Sequence, residues 1–145
     1  MTTFIDDALA GRQAAASRQG KAFEDTVELL LRVEGWTIND RQWRHPEVDV
    51  EVDIVATNPD GQQWWIECKG SWESPSRNGL ARTDTLKKAI FNGAMLLLVE
   101  DRAPYMIVTS HLPTGGAGET WIDRAVDMYV DEIRVVGFTR REARR

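Results

Sequence analysis

Between Val48 and Lys69 the segment VDVEVDIVATNPDGQQWWIECK leaves little freedom of local structure. Val48, Val50, Val52 and Ile54 alternate with Asp49, Glu51 and Asp53, the period of two of a half-buried strand. Asn58-Pro59-Asp60-Gly61 then places Asn, Pro and Gly where a type I turn followed by a left-handed glycine needs them, which predicts a three-residue hairpin loop with a G1 bulge. Closing that loop on Asn58 and Gln62 sets the register so that Asp53 falls opposite Glu67, with Cβ atoms about 4.5–5.5 Å apart. Lys69 shares that face by parity. Val50, Val52, Ile54, Trp64, Ile66 and Cys68 point the other way and form the expected buried side.

Like charges directly opposite each other destabilise a sheet, so the Asp53–Glu67 pair calls for a cation. A divalent ion with oxygen ligands answers this, and Mg²⁺ is typically held by one or two carboxylates together with waters and phosphate oxygens. The alternatives are narrowed by composition. One cysteine excludes an internal disulfide and any multi-cysteine zinc site, and His45 and His111 are too few and too isolated for a zinc cage.

Asp53, thirteen intervening residues and then Glu67-Cys68-Lys69 resemble the signature of the PD-(D/E)xK nuclease superfamily, with Val52 where that name has proline. Upstream, Gly20-Lys21-Ala22-Phe23-Glu24 resembles the helix-borne glutamate motif of the same superfamily, especially of Holliday junction resolvase-like, phage and restriction nucleases. The resemblance spans roughly residues 18 to 110. It implies a restriction-endonuclease-like α/β (α+β) fold, a mixed sheet flanked by helices. It also implies a metal-dependent deoxyribonuclease acting on DNA, as a homodimer where two strands of a two-fold substrate are cut. Glu24, Asp53, Glu67 and the backbone carbonyl of Cys68 would hold Mg²⁺ or Mn²⁺, and Lys69 would orient the attacking water or stabilise charge on the phosphate. Structure-selective cutting of four-way junctions in DNA recombination leads. A restriction-type endonuclease or an exonuclease of the same superfamily follows. Outside that class stand a non-catalytic nucleic-acid-binding module with the nuclease fold and a small protein-interaction subunit.

A net charge of −5 argues against a nucleic-acid partner until its distribution is considered. Residues 1–60 carry 12 acidic and 6 basic side chains, whereas residues 69–88 carry 5 basic (Lys69, Arg77, Arg82, Lys87, Lys88) against 2 acidic. Acid excess thus sits ahead of and within the hairpin, and the following segment is the candidate phosphate-binding surface, together with Lys21 and Ser71. The 139–145 tail, with Arg140, Arg141, Arg144 and Arg145, is either a second such surface or a solvated run.

The 145 residues suit a single domain, 1–145. No apolar run reaches the ~18 residues of a membrane span, and the first residues lack the order of a signal peptide, so the expected location is cytoplasmic, with no membrane partner. Residues 1–17 read as a loose arm or an extra helix. From about Ser17 to Val33, Phe23, Val27, Leu30 and Leu31 fall at helical spacing and put Glu24 and Glu28 on the flank of the stripe. Gly35 ends that helix, a strand runs from Trp36 to Arg44, and His45-Pro46 marks a loop with His45 at the surface. Gly70 to Leu80 is a loop that leaves the site, where Trp72 either stacks on a base or plugs the core. Trp65 either covers the site or packs under helices. Thr83 is expected to cap a helix reaching about Glu100, in preference to a helix ending at Asn92-Gly93 before a strand over 95–99. Tyr105–Ser110 reads as a buried strand, Thr120 as the cap of a helix to about Tyr129, and Ile133–Phe138 as a last strand. The resulting order is α-β-β-β-α-β-α-β.

Overall fold

The computed structural model describes residues 4–71 and 79–136, with side chains from Arg18 onward, Asp127 excepted. Helix α1 (Phe4–Val33) is followed by strands β1 (Thr37–Arg44), β2 (Glu51–Thr57) and β3 (Gln63–Lys69). A single 3₁₀ turn (Gly79–Ala81) leads into α2 (Thr83–Leu96), then β4 (Tyr105–Thr109), α3 (Gly116–Met128) and β5 (Glu132–Val135). The class is mixed α/β: one five-stranded sheet in the order β1-β2-β3-β4-β5, antiparallel across β1, β2 and β3 and parallel from β3 to β5. Among the described residues no helix is long and apolar enough to cross a membrane.

The hairpin follows from its turn. Gly61, at φ +88°, donates its N–H to the Asn58 carbonyl, and Asn58 donates to Gln62. The Asn58 side chain accepts from the N–H groups of Asp60 and Gln62, an Asx-type lock on the loop. Pairing then runs from Thr57 with Gln63 to Ile54 with Ile66, in the expected register.

Strands β2 and β3 are buried on both faces, which corrects the half-buried expectation. Phe23, Val27 and Leu31 of α1 cover Ile54, Ala56, Ile66, Cys68, Met106 and Val108 on one side. On the other, Leu86, Ala89 and Leu96 of α2 pack with Val55, Trp65, Tyr105 and Ile107, so Trp65 lies under helices. Val50 and Val52 belong to this second layer, not with Ile54. The alternation changes faces at Asp53. Its neighbour β1 does the same: Arg41 bonds α1, Trp43 packs in the α2 layer, and Gln42 between them has φ +46°. A left-handed residue inside a strand turns it as a bulge does.

Element ends differ from expectation in instructive ways. Residue 4 already begins α1, so segment 4–17 continues that helix. Helix α2 runs through Gly93 but stops at Leu96, where Leu97 and Leu98 donate back to Gly93 and Met95 and Val99 drops into the core. The N-cap is Arg82, without a side-chain bond, rather than Thr83. Helix α3 starts at Gly116, four residues before Thr120, because Glu119 reaches back to accept the N–H of the N-cap Gly115. Strand β5 is displaced to Glu132–Val135; residues 137–145 lie outside the described residues.

Gly93 lets α2 approach β4. A methyl there would sit 2.7 Å from the Tyr129 carbonyl oxygen and 2.9 Å from the Tyr105 ring, whose hydroxyl donates to the Ala89 carbonyl. Gly93→Ala should therefore destabilise the protein by about 1–3 kcal/mol in urea unfolding, the usual cost of overpacking. The ~1 kcal/mol gain expected from helix propensity alone would contradict this packing.

Candidate active site

Past the Ile54–Ile66 pair the β2–β3 ladder gives way to a side chain: Asp53 Oδ2 accepts the Cys68 N–H at 2.8 Å. Asp53 is 9% exposed and Glu67 3%. Lys69 Nζ lies 2.8 Å from Glu67 Oε1, while Glu67 Oε2 is buried without a hydrogen-bond partner. A buried carboxylate oxygen left unpaired costs its desolvation energy, and the group responds by holding a proton more tightly. Burial, then the charges of Glu67 and Glu24, push the Asp53 carboxyl up to about 8. Burial raises Glu67 as well; Lys69 offsets part of this, and Glu24 and Glu51 add to it. Burial opposes the Lys69 charge, but Glu67 and Asp53 outweigh it, so the ammonium is held more firmly than usual.

These three side chains line one open cleft of about 620 Å³ between the sheet end and α2. Arg44, Asp49 and Glu51 border it from the β1–β2 side, and Lys88, Phe91, Asn92 and Met95 from α2. Residues 45 to 50 form a tight turn, in which His45 donates to the Val50 carbonyl and Asp49, at φ +54°, donates to the His45 carbonyl, and Val48, Asp49 and Val50 line the cleft.

The other residues that the sequence singles out are placed differently. Glu24 is turned toward β1, where its Oε2 accepts from Arg41 (3.2 Å) and Gln42 (2.6 Å), though its charge still reaches Asp53 and Glu67. Lys21 is exposed on α1, on the sheet face opposite α2. Ser71 is 7% exposed, with its N–H on Ser110 Oγ and its hydroxyl on Gln19. The Cys68 thiol packs under α1, and only its backbone faces β2, since in a strand the carbonyl projects to the same side as the N–H. Arg82 pairs loosely with Asp84 at 3.7 Å, Lys87 lies over the Trp121 ring, and Lys88 lines the cleft. Arg77 and Trp72 lie outside the described residues.

Two features escape a reading of the sequence. Phe91, Asn92 and Met95 join Lys88 on the cleft wall; their i, i+3, i+4, i+7 spacing is the available signal, hidden by the core stripe on the same helix. His45, expected at the surface, is 2% exposed between the rings of Trp43 and Trp65. Its Nδ1 accepts the Glu47 N–H and its Nε2 lies 2.9 Å from Asp101. Ligand atoms of His45, Glu47 and Asp101 all fall within 4.8 Å of one another, close enough to hold a metal ion if the His45–Asp101 bond were given up.

No family model and no curated protein matches this chain. A solved structure does. A chain of an EndoMS-dsDNA2 complex superposes with a TM-score of 0.47 at 15% identity, over 82% of this chain and 45% of that one. This chain thus spans less than half the length of that neighbour.

The raised Asp53 pKa has a sign that can be tested. Between its ordinary value of 3.8 and about 8 the folded protein keeps a proton that the unfolded chain has released. Its stabilising effect is complete below the ordinary value and is lost as pH climbs through about 8. Melting temperatures of the metal-free protein should fall more steeply over that range for wild type than for Asp53→Asn. Identical pH profiles would show that Asp53 is not desolvated.

Proposed function

We propose that this chain is a divalent-metal-dependent DNA phosphodiesterase, folded as one domain over residues 1–145 and selective for branched or distorted DNA such as four-way junctions. The observation that carries this reading is the orphaned Glu67 Oε2 beside the desolvated Asp53, with Lys69 already spent on the other Glu67 oxygen. Two buried carboxylates with one ammonium lack a positive partner, and carboxylate plus carbonyl oxygens are hard donors that fit Mg²⁺ or Mn²⁺. Asp53, Glu67 and the Cys68 carbonyl would hold the ion, and Glu24 would add a fourth oxygen donor at the edge. When bound, the ion supplies a Lewis acid that polarises the phosphate and acidifies water.

The chain's own groups account for the rest. Lys69, tied to Glu67, is set within the cleft to orient a water or to meet negative charge growing on the phosphate. Burial of Asp53 and Glu67 keeps competing water away from the carboxylates. Lys88 on the facing helix is suited to a phosphate of the bound strand. Cutting both strands of a two-fold junction would favour a homodimer, with Trp121 and the last helix as candidate contacts.

Supercoiled, linear and four-way-junction DNA incubated with Mg²⁺ or Mn²⁺ provide the test. Wild type should cleave, and Asp53→Ala or Lys69→Ala should lower the rate by ~10²–10³ or more, the usual cost of removing a group that meets developing charge. Cleavage in EDTA, or cleavage indifferent to both substitutions, would rule the reading out.

A further inference from the structure

Helix α2 carries two stripes. Leu86, Ala89, Gly93 and Leu96 are buried, whereas Lys88, Phe91, Asn92 and Met95 line the cleft that also holds Asp53 and Glu67. Phe91 is 61% exposed there, so its ring gains little from the fold. Cations around the cleft are mostly engaged. Arg44 pairs with Asp49 at 3.4 Å and Glu51 at 3.5 Å, and Lys69 with Glu67 at 2.8 Å. Among the described residues, Lys88 is the cleft cation without an ion pair, and it lies one helical turn before Phe91.

From this juxtaposition we infer that Phe91 stacks on an unpaired nucleobase of bound DNA, with Lys88 on the adjoining phosphate and Asn92 within reach of the base edge. The inference deepens the phosphodiesterase reading and rests on it for the identity of the ligand. An aromatic face and one ammonium complement a nucleotide, which presents a π-face and a phosphate together. Inside a duplex both faces of a base are covered by its neighbours, so the ring receives only a base that has left the stack. The cleft therefore selects DNA in which a nucleotide is already unpaired, at a bulge, a mismatch or a branch point. Because every base has a π-face, the selection is for shape and carries little sequence preference.

The test is equilibrium binding in Ca²⁺, in place of Mg²⁺, to two duplexes of the same sequence, one fully paired and one with a single unpaired 2-aminopurine. Wild type should bind the second roughly tenfold more tightly and change its fluorescence as the base leaves its neighbours. Phe91→Ala should lose most of both effects, and Phe91→Trp should keep them. Equal affinity of wild type for the two duplexes, or a preference and fluorescence change unaltered by Phe91→Ala, overturns the inference. Cleavage by wild type in Mg²⁺ is scored separately: a Phe91-dependent preference without cleavage upholds the base site and removes the phosphodiesterase reading.

Discussion

A carboxylate carried between two helical layers must be neutralised, and at Glu67 only one of its two oxygens is. The 2.8 Å contact with Lys69 meets half of the requirement, and the other oxygen is left buried without a hydrogen-bond partner, with Asp53 nearby. Everything distinctive about this sheet converges there. The ladder between β2 and β3 ends, Asp53 substitutes its own carboxylate for a backbone acceptor, and the faces of β1 and β2 exchange at Gln42 and Asp53. A fold selected for stability alone would fill such a position with an apolar side chain, since replacing buried charges by hydrophobic groups is often neutral or stabilising. Strain of this kind concentrates where a protein binds or reacts.

Two clusters of potential ligands compete for attention, and their hydrogen bonding separates them. His45, Glu47 and Asp101 are closer together, but the imidazole is satisfied at both nitrogens: an N–H faces Nδ1, so the ring proton sits on Nε2 and points at Asp101. That arrangement ties the β1–β2 connection to the segment after α2, and the imidazole can turn to a metal only by giving up one of these hydrogen bonds. Around Glu67 the reverse holds. There an acceptor lacks a donor, and acceptors are what cations bind.

The hairpin is legible because its information is local. Asn58 to Gly61 specify one loop, that loop specifies one register, and the register brings residues 53, 67 and 69 to the same end of the sheet. Helix positions are legible for the same reason, from the spacing of Phe23, Val27 and Leu31 and of Leu86, Ala89 and Leu96. What escapes depends on partners distant in the chain. Nothing near Gln42 or Asp53 announces that alternation will switch faces. The burial of His45 depends on Trp65, twenty residues later, and the engagement of Glu24 depends on Arg41 and Gln42. Phe91 is easily missed because a phenylalanine in an apolar helix reads as core, and only the packed structure separates the stripe that faces the sheet from the one that faces the cleft.

The most direct measurement is anomalous diffraction from crystals soaked in Mn²⁺. The expected result is a manganese peak with carboxylate oxygens of both Asp53 and Glu67 in its coordination sphere, the previously unpaired Glu67 oxygen among them. A fully occupied peak at His45, Glu47 and Asp101 with none between Asp53 and Glu67, or no peak at any concentration, would contradict the assignment of a metal to this carboxylate pair.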